Sequence, residues 1–170
     1  ARLWRKVLPD AKLWEAEIDG ACIDLHREEL RQLGIRPLVG NQSNRADVER
    51  WKAEVGQPLD VVIDDGSHRN SDILATFHML WPSVSPGGLY FMEDLNVGRQ
   101  ARWDDTNKKG VIVDVLKSWI DQTVIFGGWA TTNPKAKHPL PDKVAFVFCQ
   151  RAACVIGKQP ANRPPFHAYR

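Results

Sequence analysis

The chain has 170 residues, 43% of them hydrophobic and 26% charged, which suits one well-packed globular domain. That composition excludes a disordered chain, a collagen and a coiled coil, and no apolar run approaches the roughly 18 residues that cross a bilayer. The formal net charge of +2 is too small to predict a nucleic-acid or anionic-membrane partner.

Ala1-Arg2-Leu3-Trp4-Arg5-Lys6 has no apolar signal-peptide core, and a start without Met points to a fragment or a processed product. Leu3, Trp4, Val7 and Leu8 recur at helical spacing until Pro9-Asp10 closes the element. Lys12 to Ile18 alternates as a strand. Cys22 to Leu33 reads as a helix with Gly34 at its C′ position. Ile35 to Val39 is a short strand, and Ala46 to Val55 a helix with Asn44 or Asp47 near its start and Gly56 at its end. Leu59 to Asp64 is expected to be a strand buried on both faces. Asn70 to Trp81 forms an amphipathic helix, Ser85-Pro86-Gly87-Gly88 a turn, and Leu89 to Met92 another buried strand. Residues 95–110 make a polar loop, Val111 to Ile120 a helix, and Gly127 to Asp142 a second long loop. Val144 to Phe148 and Ala152 to Ile156 are two strands joined by a Cys149-Gln150-Arg151 turn, followed by a Pro-rich tail. Strands alternating with helices, then a terminal hairpin, predict an α/β fold: a mostly parallel sheet with helices on both faces.

Cys22, Cys149 and Cys154 make no C-x-x-C pair; Cys149 and Cys154 could face each other across a hairpin, but reduced thiols are expected, which points to a cytoplasmic protein. Residues 133–170 carry seven Lys or Arg against a single acid, Asp142. This basic end reads as a solvated edge rather than a phosphate-binding surface.

Ligands of open α/β sheets sit at the carboxyl ends of the parallel strands. At the first such end stand Glu17 and Asp19. A carboxylate there suits the two hydroxyls of a nucleoside ribose, although paired acids are also common surface composition. The second end, Gly40-Asn41-Gln42-Ser43-Asn44, offers amides that can read a base edge, or else a polar turn that caps the next helix. The third and fourth ends are Asp64-Asp65-Gly66-Ser67-His68 and Glu93-Asp94. Carboxylates gathered at adjacent strand ends repel unless a cation lies between them, and Mg²⁺ with oxygen ligands is the natural occupant. His68 lies at the mouth of the same crevice, and an imidazole suits proton transfer near neutral pH. The competing reading makes Asp64 and Asp65 caps of the next helix and His68 a surface residue. His78 sits within a core-forming helix and reads as a satisfied semi-buried residue, and His26, His138 and His167 show no ligand spacing. Trp103 and Trp129, in the two long loops, are candidates for lining a substrate pocket.

The run Val61-Val62-Ile63-Asp64-Asp65-Gly66-Ser67-His68, followed by Pro86-Gly87-Gly88-Leu89-Tyr90 and Glu93-Asp94-Leu95, resembles the macrocin and mycinamicin sugar O-methyltransferases. These are class I enzymes dependent on S-adenosylmethionine. Gly40-Asn41-Gln42-Ser43-Asn44 is similar to their Gly-Asp-Gln-Ser-Asp stretch, with Asn for Asp twice. The resemblance runs from residue 1 to about 157, giving a methyltransferase-like domain over 1–157 and a tail over 158–170. It implies a Rossmann-like class I sheet, mostly parallel with a C-terminal antiparallel hairpin. The family's first, central strand and Gly-rich loop would precede Ala1 and are absent from this chain. The resemblance further implies that Asp65, Glu93 and Asp94 hold Mg²⁺, that His68 is the general base, and that Glu17, Asn41, Gln42, Ser43 and Asp64 face the methyl donor.

The function so implied is methyl transfer from S-adenosylmethionine to a hydroxyl of a sugar or glycosylated small molecule, with Mg²⁺. The partners are that acceptor and no nucleic acid or membrane, with a homo-oligomer left open. A non-catalytic remnant that keeps the fold for binding, and a metal-dependent hydrolase using the same acids, are the alternatives. Donor binding separates the methyltransferase from the hydrolase.

Overall fold

Strands and helices alternate through a computed structural model that describes residues 1–103, 105, 110–124 and 136–162. Trp129 and His167 lie outside the described residues. The chain divides into two units, Ala1–Gln57 and Pro58–Arg170.

The first unit holds α1 (Arg2–Val7), β1 (Leu13–Glu17), α2 (Gly20–Gln32), β2 (Ile35–Val39) and α3 (Arg45–Val55). β1 and β2 pair in parallel, Leu13 opposite Ile35 through Glu17 opposite Val39. The Asp19 carboxylate accepts from the Ala21 and Cys22 N–H groups and starts α2, so this acid is a helix cap. Asn44 caps α3 at the Ala46 N–H, and Gly56 ends it in the left-handed region. Ile23, Leu30 and Ile35 form a small core between α2 and the sheet. α1 has no side-chain cap and buries none of its residues. It is tied instead through the Arg5 guanidinium, which donates to the carbonyls of Leu8, Pro9 and Ala11 on one side and of Leu33 and Gly34 on the other.

The second unit holds β3 (Leu59–Asp64), α4 (Asn70–Leu80), β4 (Val84–Met92), α5 (Ile112–Thr123), β5 (Val144–Gln150) and β6 (Ala153–Lys158). The strand order is β3-β4-β6-β5; β3 runs parallel to β4, and the last two strands are antiparallel additions. Phe77 on α4 stacks on Trp81 at 5.1 Å and meets Tyr90 of β4 and Trp119 of α5, each at 5.0 Å. That aromatic cluster fixes both helices on the sheet beneath the ends of β3 and β4. The Lys158 ammonium is buried and donates to the carbonyls of Trp81, Pro82 and Val84, stitching the end of β6 to the turn after α4.

Three expectations are corrected. Residues 85–88 are not a turn between elements but a bulge inside β4: the register passes from Leu59 opposite Val84 to Val61 opposite Leu89. Val61 is 48% exposed rather than buried, because β3 is hydrogen-bonded only to β4 within its sheet. Cys149 and Cys154 are not reduced thiols. β5 runs through Gln150, and the two-residue turn Arg151-Ala152 sets Cys149 directly opposite Cys154, to which it is joined by a disulfide. Ala152 takes a φ of 66° in that turn. Cys22 is a free, exposed thiol. The thiol-based ground for a cytoplasmic location is thereby lost. Among the described residues, no helix is long and apolar enough to cross a membrane.

Candidate active site

The parallel pairing of β3 with β4 brings Asp64 opposite Met92, and the Glu93 N–H donates to the Asp64 carbonyl at 3.0 Å. The two acidic segments therefore leave the sheet side by side. Asp65, His68 and Asp94 each place one potential ligand atom within 4.8 Å of the others. His68 Nε2 stands 3.8 Å from Asp94 Oδ2, with the imidazole 22% exposed. His68 and Asp94 also share a rare backbone conformation, with φ of 57° and 52°. Such left-handed non-glycine residues cost energy and persist where the surroundings enforce them, often at functional sites.

The start of α4 is served from elsewhere: Arg69, which precedes it, makes no side-chain cap bond, and the Ser71 N–H in its first turn donates to Asp105 Oδ1 at 3.2 Å. Asp64 is buried, and its Oδ2 accepts from the Tyr90 hydroxyl at 3.1 Å. Glu93 is half-buried and is not in the group formed by Asp65, His68 and Asp94. Ser67 Oγ donates to Asp72 Oδ2 at 2.8 Å and accepts from the Arg69 N–H at 3.3 Å, which frames the loop carrying His68. Trp103 meets the His68 ring edge-on at 6.0 Å, and the Arg102 guanidinium lies 5.1 Å from the centre of the same indole.

The Tyr90–Asp64 contact carries a pH prediction. Burial, and then the Asp64 carboxylate, push the Tyr90 phenol well above its ordinary range. A folded pKa above the unfolded value of about 10 gives stability that is complete below pH ~10 and lost as pH rises toward the folded pKa. Tyr90→Phe should therefore flatten the alkaline fall in stability and cost about 1 kcal/mol at neutral pH, where Asp64 loses a donor. Urea unfolding from pH 7 to 11 measures both effects, and an unchanged alkaline limb would refute the assignment.

In the first unit the Gly40 N–H donates to the Glu17 carbonyl at 2.9 Å, which joins the ends of β1 and β2. Glu17 Oε1 accepts from the Asp19 N–H at 2.9 Å. Asn41 Oδ1 accepts from both the N–H and the hydroxyl of Ser43. The Asn41 N–H, ahead of Arg50, holds the Asp47 carboxyl below its ordinary range. Gly40 is required here: a Cβ would fall 2.7 Å from the Asp47 Cγ. Asn41 and Asn44 thus build a polar turn and a helix cap, and Gln42 and Ser43 sit half-buried beside them. Among the described residues, His26, His78 and His138 join no group of three potential ligands.

Sequence reasoning missed Asn70. It is fully buried, donates to the Gly98 carbonyl at 2.7 Å and accepts from the Ile112 N–H at 2.9 Å. Its only signal is a polar residue at the first position of an amphipathic helix, directly after the acidic loop.

No protein-family profile matches the chain. Curated relatives do. Mycinamicin VI 2''-O-methyltransferase of Micromonospora griseorubida is 33% identical over 126 residues, covering 71% of this chain and 29% of that protein. Demethylmacrocin O-methyltransferase of Streptomyces fradiae is 38% identical over 94 residues, 55% of this chain and 22% of that protein. A tetracenomycin rhamnosyl 3'-O-methyltransferase of Streptomyces olivaceus is 32% identical over 99% of this chain and 43% of its own length. Among solved structures, the MycE methyltransferase of the mycinamycin pathway, in complex with Mg, SAH and mycinamycin VI, matches 97% of this chain and 41% of its own. The TM-score is 0.73 and the identity 26%. This chain spans less than half the length of each of these relatives. The chain is a homologue of the mycinamicin, macrocin and tetracenomycin sugar O-methyltransferases and carries the class I S-adenosylmethionine-dependent methyltransferase fold.

Proposed function

We propose that the chain acts in Mg²⁺-dependent methyl transfer from S-adenosylmethionine to a hydroxyl of a sugar on a glycosylated small molecule. The observation that carries this reading is the convergence of Asp65, His68 and Asp94 at the ends of adjacent parallel strands. It occurs in a homologue of enzymes named O-methyltransferases, and of a methyltransferase whose structure holds Mg and SAH. The donor set fits the ion: two carboxylates on neighbouring loops supply hard oxygen ligands. Asp65 and Asp94 would hold it, with Glu93 proposed as the third carboxylate. When bound, Mg²⁺ supplies Lewis acidity that lowers the pKa of a coordinated hydroxyl.

This chain's residues do the rest. His68 Nε2 accepts the acceptor's hydroxyl proton as the oxygen forms its bond to the methyl carbon and the carbon–sulfur bond breaks. The nearby Asp94 carboxylate stabilises the imidazolium so formed. Glu17 is proposed to accept from the donor ribose, Asn41, Gln42 and Ser43 to lie near its adenine, and Asp64 to face the donor. We take residues 1–157 as one methyltransferase-like domain. We propose the cytoplasm as its place of action and leave homo-oligomer formation to be measured.

Trp103, edge-on to His68, is proposed as the platform for the acceptor's sugar ring. Trp103→Ala should raise the acceptor KM about tenfold, the worth of one aromatic contact of roughly 1.4 kcal/mol, with kcat nearly unchanged. Steady-state kinetics with varied acceptor would show this, and an unchanged KM would remove the residue from the site.

The reading as a whole is tested by offering labelled S-adenosylmethionine and a panel of glycosylated polyketides to the full-length protein, with and without Mg²⁺. Mg²⁺-dependent label transfer is expected. Neither transfer nor donor binding, or acceptor hydrolysis without donor, would overturn it.

A further inference from the structure

We infer that Asn70 is a positioning residue whose side-chain amide holds the two acidic loops at the separation that metal binding requires; this rests on the metal-site reading above. Asn70 opens α4 two residues after His68 and is 0% exposed. Its Nδ2 donates to the carbonyl of Gly98, four residues past Asp94, at 2.7 Å. Its Oδ1 accepts from the N–H of Ile112, the first residue of α5, at 2.9 Å. Val111, which precedes α5, offers no side-chain cap, so Asn70 also caps that helix from outside. One amide therefore ties the loop of His68, the loop of Asp94 and the start of α5.

The fit is close on the far side as well. A Cβ on Gly98 would lie 2.7 Å from Asn70 Oδ1. Gly98 has φ −60°, a conformation any residue adopts, so glycine is needed there for the approach of Asn70 and not for its backbone. His68 and Asp94 stand in left-handed conformations on short loops. Such geometry relaxes unless the surroundings fix both ends, and mutual repulsion of Asp65 and Asp94 in the metal-free protein favours that relaxation. Groups that orient metal ligands typically contribute ten- to a hundred-fold to affinity, by rough estimate.

The test is Mg²⁺ affinity by calorimetry, with Mn²⁺ magnetic resonance as a second readout, on the full-length protein alongside thermal melts. Asn70→Ala and Gly98→Ala should each weaken Mg²⁺ at least about tenfold, with donor affinity changed less than about twofold. Adding Gly98→Ala to Asn70→Ala should cost little more, because the clash it creates is with the side chain already removed. Asn70→Asp, which keeps the acceptor and loses the donor, should fall between. Wild-type Mg²⁺ affinity in folded Asn70→Ala, whatever its melting temperature, would show a merely structural role and overturn the inference. Should Asn70→Ala not fold, wild-type affinity in Gly98→Ala and Asn70→Asp does the same. A wild-type protein that binds no Mg²⁺, or an Asp65→Asn/Asp94→Asn variant that still binds it, would instead overturn the metal-site reading itself, and this inference with it.

Discussion

His68→Ala is expected to lower turnover by about 10²–10⁴-fold, the usual worth of a positioned general base, with little change in donor affinity. The imidazole sits where a base must: partly open, 3.8 Å from Asp94 and edge-on to Trp103. His68→Gln should be almost as slow, since an amide can hydrogen-bond to the acceptor hydroxyl but cannot hold its proton. Loss in kcat with donor binding intact separates a proton-transfer role from a packing role. That distinction matters because His68 also occupies a left-handed backbone position, which any replacement must share. The measurement is single-turnover methyl transfer by both variants across neutral pH. Near-full turnover by His68→Ala would mean that the proton goes elsewhere.

Asp65→Asn and Asp94→Asn should each abolish Mg²⁺-dependent transfer. Each removes an anionic ligand, and charge more than hydrogen bonding holds a hard cation. Glu93→Gln is the informative companion. Glu93 adjoins Asp94 in sequence but stands outside the group of Asp65, His68 and Asp94. A loss as severe as that of Asp65→Asn would place its carboxylate on the ion. A loss of less than about threefold would leave Glu93 with the role its backbone already has, the N–H bond to Asp64 that aligns the two loops. Transfer by Asp65→Asn that is undiminished in chelator would make these acids structural.

The elements and the candidate residues were legible in local sequence because each is written in local chemistry. Asn44 and Gly56 bound their helix by capping geometry, and the run Leu59 to Asp64 could only be a strand turning into acid. The misreadings arose where distant segments decide. Ser85 to Gly88 has turn composition, yet β3 alongside captures it as a bulge, with Ser85 Oγ donating to Asp60 and Gly88 too close to the Asp60 carbonyl for any side chain. The cysteines looked unpaired because pairing depends on a two-residue turn setting the hairpin register.

From the sequence alone came the α/β alternation, the acids at the ends of two strands and His68 between them, since periodicity and residue type are local properties. Only the tertiary structure decided which of those acids meet. It set Asp65 and Asp94 with His68, turned Asp64 inward to Tyr90, and left Glu93 beside the group. It also assigned Asn70 and Gly98 to the task of holding the loops. The physical reason is that side-chain convergence depends on strand register and loop backbone conformation, and both are fixed by contacts between residues far apart in the chain.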